Sequence, residues 1–163
     1  MTAERAAAPF SDAMIPAYAR GAGRRGVPAR AMNAAALRRR CLALPGSEET
    51  FPFGPLTSVF KVSGKMFALS QLGSDPLRVS LKCDPALARG LREAHAGILP
   101  GYHLNKRHWN TVVLDGSLPE AMVRDMIEDS YDLVVSKLPR SARSALGWAG
   151  DGGARGRGRG GVV

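Results

Sequence analysis

Six consecutive residues, Asn105-Lys106-Arg107-His108-Trp109-Asn110, bring together two cations, an imidazole, an indole and two amides. Cations neutralise phosphates and release their counterions. An indole or imidazole stacks on a base or sugar, and an Asn amide can bond to base edges. The combination suits a nucleic acid, a polyanion that also carries flat rings. A purely structural expectation competes with it, in which Trp109 caps a core and Lys106 and Arg107 are solvated.

A second set lies on the strand pattern 77–83 (LRVSLKC). Its alternation puts Leu77, Val79, Leu81 and Cys83 inward and Arg78, Ser80 and Lys82 outward. With Lys61 and Lys65 on the neighbouring strands, Arg78 and Lys82 would form a basic sheet face or hairpin wing. A charged wet face is also what any half-exposed sheet shows. The third set is Arg155, Arg157 and Arg159 in the terminal GGARGRGRGG. Glycine keeps such an arm flexible and Arg supplies charge and stacking, without sequence preference. Lys65, Arg78, Lys82, Lys106, Arg107, His108, Trp109 and the three tail arginines are the expected nucleic-acid contacts.

Other chemistries find no support in the residues. No nucleophile stands with a base, no glycine loop cradles phosphate, and no carboxylates are paired for acid/base work. Glu48 and Glu49 are merely adjacent. His95, His103, His108 and Cys83 lack the paired spacing of zinc ligands. The first helix carries Arg38-Arg39-Arg40 where a hard cation would need carboxylates. No catalytic residue, metal or cofactor is therefore expected. Cys41 and Cys83 form no disulfide framework and read as reduced core thiols of a cytoplasmic protein.

The charge distribution agrees with a polyanionic partner. The chain of 163 residues has a formal net charge of +9. Residues 1–30 hold five Arg against Glu4 and Asp12, and residues 140–163 hold five Arg against Asp151, so most of the excess sits at the ends. Tails rich in Arg, Ala and Gly also arise from composition alone. No run approaches the roughly 18 apolar residues of a membrane span. The N-terminus lacks the continuous apolar stretch of a signal peptide, being broken by Pro9, Asp12, Pro16 and Arg20.

The elements that must position these side chains follow from periodicity. Residues 1–31 have few large apolar groups and read as a disordered, dispensable basic extension. Asn33 is a good N-cap for a helix with Leu37, Cys41 and Leu44 on one face, ended by Pro45-Gly46. Residues 46–56 read as an ordered loop with aromatic Phe51 and Phe53. Strands are expected at 57–62, 65–72 and 77–83, with a tight turn at Ser63-Gly64. Asp84-Pro85 opens a helix to about 95, with Leu87, Leu91 and Ala94 inward. A bent extended piece at 98–104, the loop 105–110 and a strand at 111–114 follow. Ser117 and Glu120 suggest a capping box. The last helix shows Val123, Ile127, Tyr131, Val134 and Leu138 on one stripe, and Pro139 stops it. From 140 onward a disordered Gly/Arg-rich arm is expected. The result is an α+β domain over 32–139, an antiparallel β-sheet with helices packed on one face, in the order α-β-β-β-α-(β)-β-α.

Several blocks of residues 32–139 match one family in order. They are Leu44-Pro45-Gly46-Ser47-Glu48-Glu49, Phe51-Pro52-Phe53-Gly54, Val59-Phe60-Lys61-Val62, Gly64-Lys65-Met66-Phe67-Ala68, Leu114-Asp115-Gly116 and Ser130-Tyr131-Asp132-Leu133-Val134. The strongest runs from Pro100 to Val112. On these residues the chain resembles the YjbR/MmcQ family. The resemblance implies a fold like the bacterial frataxin homologue (CyaY-like) and a DNA-binding role in which two β-hairpin wings flank the contact surface.

The sequence thus leads to a non-enzymatic, monomeric nucleic-acid-binding protein, for DNA in preference to RNA, with no membrane partner. The alternative is a protein-interaction or regulatory domain that docks through the aromatic loop 51–55. An enzyme with a cleft beneath His103 and His108 is a third reading. A continuous positive face joining Lys65, Lys82, Lys106 and Arg107 would favour the first; an exposed apolar groove would favour the second.

Overall fold

Asn33 starts the first helix as its residue type suggests. In the computed structural model, which describes residues 31–148, its side-chain oxygen accepts from the Ala36 N–H at 2.8 Å. That fills one of the donors every helix leaves open in its first turn. The helix, α1 (Ala34–Leu42), buries Leu37 and Cys41. The chain continues as β1 (Ser47–Thr50), β2 (Ser58–Val62), β3 (Lys65–Ser70), β4 (Arg78–Lys82), α2 (Pro85–Ala94), β5 (Ile98–Pro100), β6 (Trp109–Val113), α3 (Glu120–Val135) and α4 (Arg140–Ala145). The strands form one sheet in the order β1-β2-β3-β4-β6-β5, every neighbour antiparallel. The fold is α+β, with helices packed against the sheet.

The core lies between the sheet and α3. Val123, Ile127, Tyr131 and Val134 are buried against Phe60, Phe67, Val79, Leu81 and Val112. One serine fastens the layers. Ser130 Oγ donates to the Phe67 carbonyl at 2.5 Å and accepts from the Lys82 N–H at 2.8 Å. The helix is thereby tied to both β3 and β4. Next to it, Tyr131 meets Phe67 edge-on at 5.6 Å, and its hydroxyl donates to the Pro45 carbonyl at 2.7 Å.

Ser63 and Gly64 have φ of 48° and 73°. Two successive positive φ values make the turn whose twist matches a hairpin, and Gly at the second position adopts it without a Cβ clash. At Asp84, the carboxylate accepts from the Ala86 and Leu87 N–H groups, with Pro85 in the first turn.

Several expectations are corrected. Residues 47–50, expected as loop, form edge strand β1. A four-residue, charged strand carries no apolar alternation, and short charged strands are what sheet edges use. The capping box at Ser117 does not form: Pro119 precedes α3, with no side-chain cap. Instead the Asp115 carboxylate accepts from the Ser117 N–H at 2.9 Å, and hydrogen bonds from Ser117 hold its pKa below the usual range. In α2, Ala88 rather than Ala94 faces the core.

The C-terminal boundary also moves. Residues 140–145 form α4, and Leu146 and Trp148 pack against the core. Trp148 Nε1 donates to Asp132 Oδ1 at 3.0 Å, and the Arg143 guanidinium lies 5.7 Å from its ring centre. Leu146 sits over Gly46. The high Gly/Arg content of 149–163 hid these two apolar anchors. Of the extensions expected at 1–31 and 140–163, residues 1–30 and 149–163 lie outside the described residues.

Candidate nucleic-acid interface

Strand register decides which cations meet. The β2–β3 hairpin puts Lys65 opposite Val62 at its turn end. Pairing of Ala68 with Leu81 brings that end of β3 beside the C-terminal end of β4. Lys82 then pairs with Trp109, the first residue of β6, and the Cys83 N–H donates to the His108 carbonyl at 2.9 Å. The loop 105–108 enters β6 at this same end. Lys65, Lys82, Lys106, Arg107 and His108 therefore share one end of the sheet. Lys65, Lys106, Arg107 and His108 are exposed, and Lys82 is half-buried. Arg78 is not among them: it pairs with Val113 at the opposite end of β4.

Asn105 builds the loop rather than contacting a partner. Its side-chain oxygen accepts from the Arg107 N–H at 3.0 Å, and its carbonyl accepts from the His108 and Trp109 N–H groups. Asn110 is fully buried. Its amide donates to the Ala88 carbonyl at 3.2 Å, and its oxygen accepts from Arg92 Nη1 at 3.0 Å. The same guanidinium nitrogen donates to the Lys106 carbonyl at 2.8 Å. Arg92 of α2 thus holds the loop from behind while the Lys106 and Arg107 side chains point to solvent.

Of the two roles expected for Trp109, its burial fits the structural one. It begins β6 and is 6% exposed. A Cβ on Gly101 would lie 2.8 Å from Trp109 Cβ and 3.0 Å from its carbonyl oxygen. Only glycine allows the chain to pass so close, and the Gly101 N–H donates to that carbonyl at 3.0 Å.

Lys82 Nζ lies 5.5 Å from the centre of the Trp109 ring. Burial lowers its pKa from the usual lysine value, and the positive charges of Lys137 and Lys65 lower it further. Lys137, which follows α3, adds a cation that sequence spacing did not flag. Acidic groups are also near: Asp84 and Asp129 act on Cys83 and help raise its pKa.

The open face of the sheet, opposite α3, is not simply wet as expected. Ser80 and Thr111 are buried there, with hydroxyl oxygens 2.9 Å apart. Thr111 Oγ1 also accepts from the Tyr102 N–H at 3.1 Å. Around them lies a groove of about 430 Å³, lined by Phe53, Leu69, Arg78, Leu99, Tyr102 and His103 among others. Phe53 and Tyr102 are 61% and 72% exposed. His103 was expected only beside His108 under an enzymatic cleft, and Tyr102 was not singled out as a site residue. Their signal was an aromatic pair directly after Pro100-Gly101, a turn that folds the chain back over the sheet.

No three of His, Cys, Asp and Glu gather as metal ligands among the described residues. No described helix is long and apolar enough to cross a membrane. Cys41 and Cys83 are free thiols. Arg155, Arg157 and Arg159 lie outside the described residues.

A family model described as YjbR matches residues 42–133. The uncharacterized protein YjbR of Escherichia coli (strain K12) is 37% identical over 115 residues, 71% of this chain and 98% of that protein. The uncharacterized protein YbdF of Escherichia coli O157:H7 is 42% identical over 104 residues, 63% of this chain and 84% of that one. A solved Deinococcus radiodurans protein with domain DUF419 has a TM-score of 0.69 and 43% identity, covering 80% of this chain and 99% of its own. A Pseudomonas syringae protein has a TM-score of 0.55 and 31% identity, covering 63% and 98%.

Proposed function

We propose that this chain, which belongs to the YjbR family, is a cytoplasmic nucleic-acid-binding protein that takes DNA through the cationic end of its sheet. The observation that carries the reading is the convergence of Lys65, Lys82, Lys106 and Arg107 at that end, with Lys137 beside them. The cations come from separate segments and gather only in the fold. Phosphates spaced along a backbone would neutralise them together and release counterions. The same anion would relieve the repulsion from Lys137 and Lys65 that adds to burial in lowering the Lys82 pKa. The arm with Arg155, Arg157 and Arg159 would add sequence-independent affinity.

The test is a salt titration of DNA binding by the full chain, read by fluorescence anisotropy. For B-DNA each neutralised phosphate contributes a slope of about −0.9 in log K against log salt. K106A/R107A should weaken binding and flatten the slope by about two contacts. A triple R155A/R157A/R159A variant should retain the K106A/R107A effect. If only the triple variant loses binding, the folded domain is not the reader.

The interaction-domain reading retains one specific observation. Phe51, Phe53 and Leu56 are exposed together on the loop 51–56, at 50%, 61% and 80%. It becomes the first choice if the core cations prove irrelevant to DNA.

A further inference from the structure

The open-face groove has a different chemistry from the cationic end. Its floor is the β-sheet surface at Leu69, Ser80 and Thr111. The two hydroxyls bond each other, and Thr111 also accepts from Tyr102. The floor therefore offers a flat surface whose polar atoms are already engaged. The walls are the Phe53 ring on one loop and Tyr102 with His103 on the other. His103 has φ of 53°, a left-handed conformation uncommon outside glycine. In that conformation its ring lies 4.0 Å from the Tyr102 ring at an interplanar angle of 58°. Two large aromatic side chains are thus held in water at a groove mouth, where burial would be favourable.

Arg78 is the cation lining this groove, and it makes no ion pair among the described residues. A groove of about 430 Å³ lies within the range of roughly 300–1,000 Å³ for sites that take small organic groups. After His103 the chain runs through Leu104, also in the lining, straight into the loop with Lys106 and Arg107. The groove thus combines a floor with engaged hydroxyls, aromatic walls and a cation, and Leu104 joins its lining in sequence to the loop with Lys106 and Arg107.

We infer that the groove seats an unpaired base of single-stranded nucleic acid, stacked on Tyr102 or Phe53, with Arg78 taking an adjacent phosphate. The inference rests on the nucleic-acid reading above and gives it a strand preference. Bases in a duplex present their faces to one another, so a base enters this groove only after unpairing. Charge complementarity favours this occupant over an apolar peptide: the groove lining holds Arg78 and no carboxylate.

The experiment compares a short single-stranded DNA with its own duplex, each binding to the full chain at low salt. A single strand carrying 2-aminopurine reports stacking by fluorescence quenching. Wild type should bind the single strand more tightly and quench the probe. F53A/Y102A should weaken single-strand binding about tenfold or more, abolish quenching and leave duplex affinity essentially unchanged. R78A should weaken the single strand selectively but less. Y102L keeps the bulk and removes the π-face, so loss of quenching in Y102L supports stacking even if the double variant folds poorly. K106A/R107A should weaken both forms. Insensitivity of both forms to K106A/R107A overturns the functional reading itself. Sensitivity to K106A/R107A with none to F53A/Y102A and Y102L overturns the base-seat inference alone. A hydrophobic dye that binds the groove and is not displaced by the single strand also overturns it and assigns the groove to an apolar partner.

Discussion

The Lys82 ammonium stands 5.5 Å from the centre of the Trp109 ring, its neighbour across the β4–β6 ladder. The indole face offers a partial negative potential to the cation. Burial, Lys137 and Lys65 oppose the charge and hold the Lys82 pKa down. The half-buried lysine of the cationic end is therefore one whose charge its surroundings oppose.

That position gives a pH signature. The folded-state pKa of Lys82 lies below its unfolded value, so between the two the unfolded chain holds more protons. The charged form costs stability at neutral pH, and the cost fades as pH rises through the folded pKa towards 10.5. Lys137→Ala removes one repelling charge and should raise the Lys82 titration midpoint, observed by NMR on its side-chain ε carbon. DNA binding should raise it as well, so binding in the alkaline range should take up protons and weaken as pH increases. A Lys82 midpoint indifferent to Lys137→Ala would contradict the assignment.

The second prediction concerns α4. Leu146 and Trp148 are partly buried against the core, and Trp148 Nε1 is bonded to Asp132. Leu146→Ala should lower unfolding free energy by roughly 1–2 kcal/mol, below the range for fully buried leucines because part of the side chain is already solvated. Urea denaturation checks it. A midpoint equal to wild type would mean that α4 does not contribute to the cooperative unit.

The third concerns the thiols. Burial is the main cause that pushes Cys41 and Cys83 from 9.0 up to about 12, with Glu49 adding to the effect at Cys41, and Asp84 and Asp129 at Cys83. Both should stay protonated and resist alkylation near pH 8, since the thiolate is the nucleophile. Denaturation should expose both to rapid reaction. An acid whose folded pKa is raised contributes stability below its unfolded pKa. That contribution should decline as pH climbs from about 9 towards 12. Fast labelling of the native protein at pH 8 would refute the burial.

Local chemistry was legible in the chain. Asn33 and Asp84 cap helices because their side chains reach N–H groups two or three residues away. Ser63-Gly64 turns because its neighbours alternate and its second residue is glycine. The α3 stripe is visible because helical spacing repeats within one segment. The resemblance gave the family, and the matched residues 42–133 fall within the span that carried it. The loop 105–110 was identified, but not the division of labour within it: Asn105, Trp109 and Asn110 build the loop, and Lys106, Arg107 and His108 face solvent.

What the sequence determined by itself was therefore features whose partners lie within about one turn of helix or one hairpin, the capping box expected at Ser117 excepted. What only the tertiary structure decided was everything that depends on which distant strands pair. β5 goes to the sheet edge and β6 returns between it and β4. That insertion sets loop 105–108 beside Lys82 and sends Arg78 to the other end. It also sets Thr111 opposite Ser80, so an outward position became buried. Strand β1 exists because β2 offers it an open edge, and its own four residues carry no signal of it. Side-chain alternation states which residues share a face of one strand. Only long-range register states which cations, aromatics and hydroxyls of different strands stand together, because that pairing is set by the packing of the whole core.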